Sequence, residues 1–406
     1  MKRGTVEWLS GSPTACRIVS ALGRNWYSSK GRESLGVWLA FVLKSLEEGR
    51  RGKKPVAWTN VFTTAELLHG LDFVVIYPET LTGLVSYLGF SDEYISSAEA
   101  DFYSADICSF YRCGIGLALA GVLPKPDVVV SSSRLCDGAV KFFHNVSQMF
   151  GCPHVLLDVP YEDTPDARSY LADQMENFAR EWGFDSSRFG KALELSNQAR
   201  SDMLRIEDLR RMSPSPLAGN DALGYALNMK FSSPGTETGV EFYRLLREET
   251  ERKASNGNAI QERVRLMWLH HIRQYYPNRT IDYLEENGAR ICADEASRVH
   301  WPPLDPERAF ESLAEKLLSE PSGGPIENRL NLVLALADEY NIDGVIHFSH
   351  WGCRQSSGGA YIIRERLQEK GVPLLILNSD GADGTGFSEG QAFTRIDAFL
   401  ETLEEK

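Results

Sequence analysis

Short apolar runs rich in β-branched residues, each fenced by proline, glycine or serine and followed by a helical stretch, constrain this chain more than any other feature. PVAWTN (55–60) reads as a buried strand, TTAELLHG (63–70) as a short helix closed by Gly70, and FVVIYP (73–78) as a second strand stopped by Pro78. PDVVVSSS (126–133) and HVLLDVP (154–160) repeat the pattern around a helical segment carrying Phe142, Phe143 and Phe150. Strands of this length alternating with helices build βαβ units and a parallel sheet. In such sheets functional groups gather beyond the carboxyl ends of the strands. Glu79 and Cys136 both lie just past such an end.

The remaining stretches divide the chain. Residues 1–50 read as amphipathic helix ending at the basic GRRGKK. Thr164-Pro165-Asp166 opens a helix with a capping threonine, proline at the first position and acid in the first turn. Tyr170, Leu171, Met175, Phe178 and Trp182 follow at helical spacing. From there to about residue 280 the pattern is mostly helical, interrupted by SPSPLAGND (213–221) and SSPGTETG (232–239), and Met267, Trp268 and Ile272 read as core. PSGGP (321–325) is a loop or domain boundary. After it, helix 326–340, strand 344–349, helix 359–370 and strand 373–380 resume the alternation. A last helix starts at Ser388 with Gln391 placed for a capping box, burying Phe393, Ile396, Leu400 and Leu403. The expected fold is α/β: two doubly wound parallel-sheet lobes, Rossmann- or flavodoxin-like, with a mostly helical middle. The divisions are 1–50, 51–163 (with Cys108 and Cys136), 164–285, and 286–406 (with Cys353).

Composition narrows the function. With 406 residues, 43% apolar and 24% charged, the chain is ordinary globular material, long enough for two or three domains. No run approaches the ~20 apolar residues that cross a bilayer. MKRGTVEWLSGSP lacks the apolar region of a secretory signal, so a cytoplasmic location is expected. A net charge of −13 disfavours nucleic acid, and any anionic ligand would need local basic groups. Seven cysteines, an odd number, argue against a disulfide framework. Cys16, Cys113, Cys152 and Cys292 read as small buried apolar residues.

The other three cysteines sit in distinctive surroundings: Cys108 in SADICSFYR, Cys136 in SSSRLCDG and Cys353 in HWGCRQSSGG. Each follows an apolar or strand-like run, so folding could bring all three together. Arg112, four residues past Cys108, shares a helix face with it if the segment is helical. Cys136 stands where a strand gives way to a helix, a place that favours anionic ligands. The third motif packs His347, His350, Trp351, Gly352, Cys353 and Arg354 after a strand, and its glycines permit close backbone approach. Three converging thiolates suit an iron–sulfur cluster with one iron free for substrate. The histidines keep zinc open as a rival, although no CxxC or HxxxH pair announces a zinc site. Plain buried thiols remain the bland alternative.

These stretches resemble the catalytic-component subunits of the 2-hydroxyacyl-CoA dehydratase family, which includes the related benzoyl-CoA reductases. The resemblance runs over roughly residues 30–405. PVAWTNVFTTAELLHGLDFVVIYPET resembles the family's opening strand–helix–strand with its YPE ending. ADICSFYR, RLCDGAVKFF, the SPSP loop, HWGCRQSSGG and LILNSDGADGTGFSEGQAFTRIDAFLETL follow in the family's order.

The resemblance implies a [4Fe–4S] cluster held by Cys108, Cys136 and Cys353, and ranks a cluster above zinc. It implies a dimer, usually with a second related subunit, and a separate ATP-hydrolysing iron–sulfur activator that delivers one low-potential electron. The implied substrate is a 2-hydroxyacyl-CoA of anaerobic metabolism, dehydrated through a ketyl radical to a 2-enoyl-CoA. Glu79 matches the family's glutamate near the substrate carbonyl and hydroxyl; its bland reading is a solvated acid at a strand end. Asn60 falls where the dehydratase type carries serine, and its amide retains hydrogen-bonding capacity. Two alternatives accompany this reading. One is a low-potential reductase subunit, of the benzoyl-CoA type or with a double cluster; Ser356 and Ser357, where a further cysteine would be sought, count against the double cluster. The other is a cluster-bearing electron-relay or supporting subunit without turnover of its own.

Overall fold

The computed structural model describes residues 2–256 and 262–405. Two parallel sheets organise it. The first comprises β1 (Val56–Thr59), β2 (Val74–Ile76), β3 (Val128–Ser132) and β4 (His154–Leu157), in the order β2-β1-β3-β4. The second comprises β5 (Val264–Leu269), β6 (Ala289–Asp294), β7 (Gly344–His350) and β8 (Leu374–Ser379), in the order β6-β5-β7-β8. Both sheets therefore reverse their winding at the central pair, β1/β3 and β5/β7, where open α/β sheets form a crevice outside the carboxyl ends.

Strand residues alternate between two cores, as a period of two requires. Ala57, Val75, Val128 and Val130 face one core of the first sheet, whereas Trp58, Val74, Ile76 and Val129 face the other. The middle helices Pro165–Glu181, Ser186–Arg210 and Glu237–Ser255 cover the first of these faces, contributing Leu171, Met175, Leu193 and Phe242. In the second sheet Leu266, Trp268, Ile346 and Phe348 face one core, and Met267, Leu269 and Val345 the other. No described helix is long and apolar enough to cross a membrane.

Several local expectations need correction. The stretch to residue 280 is not helical throughout, because VRLMWL forms β5, the strand between β6 and β7. All six of its residues are buried, so it shows no alternation that would separate it from a buried helix. Thr164 caps its helix as expected, accepting from Ala167 N at 3.2 Å. Ser388 occupies the N-cap position of Glu389–Glu404, but its side chain makes no capping bond. PSGGP is a packed turn, with Arg134 lodged against it: Arg134 Nη2 donates to Leu318 O at 2.7 Å and Glu320 O at 2.8 Å.

Candidate active site

Loops from both sheets converge on one cavity of ≈ 1670 Å³, lined by Glu79, Cys108, Cys136, Cys353 and His270 among others. Glu79 follows β2, Cys136 follows β3, His270 follows β5 and Cys353 follows β7. Cys108 departs from expectation. No strand precedes it; it ends the largely exposed segment 101–107 and caps the helix Ser109–Leu119 by position. Cys136 and Cys353 stand at the N-cap positions of Asp137–Phe150 and Arg354–Ser357.

The two lobes interlock at these cysteines. Gly352 has φ +78°, and a methyl group there would lie 2.9 Å from the Cys108 nitrogen, so the Cys353 loop rests directly on the Cys108 backbone. Arg112 is buried. Its Nε donates to Ile107 O at 2.9 Å, and its guanidinium reaches Asp383 at 3.4 Å and Asp380 at 3.9 Å in the second lobe. Ser86 and Ser91 both donate to Ala382 O, at 3.0 and 2.7 Å.

All seven cysteines are free. Burial drives the Cys108 thiol well above its ordinary pKa, and the charges of Cys136 and Cys353 add to the rise. Burial raises Cys136, against the pull of the Tyr111 hydroxyl, which donates to its Sγ at 3.5 Å. Burial raises Cys353 to about 11, while the Ser356 N–H and the Arg329 guanidinium pull it down. Gly381 N donates to His350 Nδ1 at 3.0 Å, which leaves the ring proton on Nε2. That N–H faces Cys108 Sγ at 3.2 Å and donates to it. Arg329 is clamped by Glu295 through two bonds of 2.7 Å and donates to Ser356 O at 3.0 Å.

The three thiols oppose one another's ionisation, and a coordinating metal would deprotonate them outright. Hydrogen bonds from His350 and Tyr111 already reach two of the sulfurs. Among the described residues no group of three or more His, Cys, Asp or Glu is already arranged to hold a metal ion. Three sulfur donors lining one cavity are the donor chemistry that a cluster would need.

Burial raises the Glu79 carboxyl to about 8, and neither carboxyl oxygen has a hydrogen-bond partner. The N–H groups of Glu79 and Val61 and the Tyr111 hydroxyl oppose the rise without forming full hydrogen bonds. Asn60 is not brought to this site. It is fully buried and does not line the cavity; Ser132 N and the Thr63 hydroxyl donate to its Oδ1 at 3.2 and 2.5 Å. Its amide straps the end of β1 to the end of β3. Cys16, Cys113 and Cys292 are buried away from the cavity, and Cys152 is half-buried outside it.

Residues 60–403 match the family described as "2-hydroxyglutaryl-CoA dehydratase, D-component". The chain belongs to this family. It is 25% identical over 384 residues to the (R)-phenyllactyl-CoA dehydratase alpha subunit of Clostridium sporogenes, covering 89% of this chain and 92% of that one. It is 24% identical over 387 residues to the (R)-2-hydroxyisocaproyl-CoA dehydratase alpha subunit of Clostridioides difficile, covering 90% and 93%. It is also 24% identical over 380 residues to a benzoyl-CoA reductase subunit of Thauera aromatica, covering 84% and 87%.

This dehydratase-family chain also places groups in the cavity that its sequence does not single out. Tyr111, Arg329, His270 and Arg273 all line it. Arg273 stacks on Tyr275 at 5.1 Å and donates to Asn220 at 3.0 Å, while its Nε has no partner. Reading β5 as a strand would have flagged the His270–Arg273 turn beyond its carboxyl end.

Proposed function

We propose that this chain is a [4Fe–4S]-binding subunit of a 2-hydroxyacyl-CoA dehydratase, removing water from a 2-hydroxyacyl-CoA to give a 2-enoyl-CoA. The observation that carries the reading is the meeting of Cys108, Cys136 and Cys353 with the buried carboxyl of Glu79 in one cavity. Cys108, Cys136 and Cys353 would hold the cluster. Such a cluster would supply a low-potential electron to the acyl thioester, chemistry that would loosen the α-hydroxyl and acidify the β-hydrogen of the substrate. In this reading that electron comes from a separate ATP-hydrolysing iron–sulfur activator, and a second, related subunit completes the dimer; the relatives' designation as alpha subunits supports a partner.

The chain's own residues do the rest. Glu79 keeps its proton near neutrality because the cavity withholds water from its carboxylate, so it can donate to a departing hydroxyl. His350 holds an N–H on Cys108 and Tyr111 an O–H on Cys136, fixing both sulfurs. Arg273, Arg32, Arg279 and Lys253 line the cavity and offer cationic character for an anionic thioester carrier, although Arg32 and Lys253 both also reach Asp221.

A cysteine series tests the reading. Cys108→Ser, Cys136→Ser and Cys353→Ser should strip most iron and sulfide from anaerobically purified protein, whereas Cys16→Ser and Cys292→Ser should keep both, since hydroxyls are poor iron ligands. Equal loss from the two sets would remove the cluster assignment. Turnover over a panel of 2-hydroxyacyl-CoA esters, with the activator and ATP present, then identifies the acyl group. Reduction of an acyl-CoA is the second reading, favoured by the 24% identity with the benzoyl-CoA reductase relative.

A further inference from the structure

Among the described residues that line the cavity, His270 carries chemistry that neither cluster binding nor proton donation by Glu79 uses. It is 2% exposed, and neither ring nitrogen has a hydrogen-bond partner. Its backbone sits at φ +124°, a conformation that side chains rarely adopt. Neighbouring histidines each have at least one polar contact, although His271 Nε2 and His347 Nδ1 also lack a hydrogen-bond partner. His350 bonds Gly381 and Cys108, His347 Nε2 lies 3.2 Å from Ser356 O, and His271 faces Glu320 across 3.9 Å.

Packing does not account for this residue. The His270 ring meets Phe348 and His350 edge-on, with centroids 6.1 and 6.2 Å away, a contact an apolar side chain would make as well. Glycine would relax the backbone, and leucine would fill the space without two idle polar atoms. A cavity-lining histidine with both ring nitrogens unpartnered has its hydrogen-bonding capacity free for a molecule that enters the cavity. Burial holds it well below its ordinary pKa, so the ring is neutral, with one nitrogen to donate and one to accept. It lines the same cavity as the three cysteines and meets edge-on the ring of His350, which donates to Cys108.

We propose that His270 hydrogen-bonds an oxygen of the acyl group lodged among the three cysteines, making it a further substrate-binding residue. The proposal rests on the dehydratase reading. The oxygen is either the thioester carbonyl or the α-hydroxyl, and the ligand panel separates the two.

The test uses the complex as purified anaerobically, without activator or ATP, so that nothing turns over. Affinity is measured by calorimetry for a 2-hydroxyacyl-CoA and for the same acyl-CoA lacking the hydroxyl, alongside melting temperature and iron content. His270→Leu should bind the hydroxy ester about 10-fold more weakly, the scale of one hydrogen bond. Its melting temperature should hold or rise, because two unpartnered nitrogens are removed, and its iron content should stay at the parent level. Weakening with both esters assigns the carbonyl; weakening with the hydroxy ester alone assigns the hydroxyl. His270→Asn, which keeps a donor and an acceptor and tolerates the backbone, should recover part of the affinity. Unchanged affinity in His270→Leu overturns the proposal, as does a fall in melting temperature that His270→Asn shares together with the affinity loss. If the parent binds neither ester, the dehydratase reading itself fails and this proposal falls with it.

Discussion

A carboxyl closed off from water and left without a hydrogen-bond partner resists ionisation, and Glu79 is in that position at the end of β2. Two outcomes follow from its rise to about 8. Glu79→Gln keeps the shape and removes the transferable proton, so turnover should fall by about 10²-fold while iron content and ester binding persist. Near-parental turnover in a fully loaded variant would reduce Glu79 to a bystander. The second outcome is in stability. Between its ordinary 4.5 and about 8, the folded chain holds a proton that the unfolded chain releases, so stability falls as pH rises through that window. The loss is at most about 1.4 kcal/mol per pH unit. Denaturant midpoints should therefore show Glu79→Gln gaining on the parent as pH climbs toward 8, with no gain in acid. Asn60 shows the opposite logic: its amide oxygen accepts from Ser132 and Thr63 and so braces the strand ends.

At the scale of elements, the site depends on how helix starts and strand ends are pressed together. All three motif cysteines stand at N-cap positions, which directs their side chains beyond the helix and toward the cavity. The loop after β7 can reach Cys108 only because Gly352 has no side chain and takes φ +78°. Gly352→Ala meets both obstacles, a left-handed backbone worth about 1–2 kcal/mol of strain and a methyl group driven into the Cys108 backbone. It should lose cluster iron and sulfide while circular dichroism keeps the parental helix and strand content. Full iron loading in that variant would show that the two cysteines need no such approach. Strand β5 escapes a reading by pattern for a different reason. VRLMWL carries Arg265 inside a buried strand, where the guanidinium donates to Tyr340 O at 2.7 Å and pairs with Glu262. An arginine in an apolar run after a long helix reads as more helix until the pairing with β6 and β7 is known.

At the scale of the molecule, the two sheets share one winding order and bring their switch points to one cavity. Removing water from a hydroxyacyl thioester changes no net oxidation state, so an electron used to start the reaction is returned at its end. On the proposed dehydratase function, the activator should then be needed in substoichiometric amount, with many enoyl products formed per ATP hydrolysed. Measuring ATP consumed against product formed decides the matter. A fixed ATP requirement for every product molecule would favour the net-reductase alternative that the benzoyl-CoA reductase relative brings in.

Local chemistry alone names the α/β class. At FVVIYP and PDVVVSSS, proline stops and β-branched side chains restrict φ and χ1 within a few residues, and the strands β2 and β3 lie inside those runs. The same cues mark β1, β4, β7 and β8, whereas β5 has no adjoining fence and β6, though opened by Gly288, is interrupted by Arg290, and both emerge only from their pairing. Three cysteines stand out by their surroundings, and Glu79 by its place past a strand. What the sequence does not decide depends on distant partners. Whether Arg112 is superficial or buried turns on Asp380 and Asp383 in the other lobe. Whether Asn60 faces substrate turns on Ser132, and whether His270 has a partner turns on every element packed around it. Burial, desolvation and hydrogen-bond satisfaction belong to the assembled chain, and those are the quantities that separate a brace, a strap and a binding group.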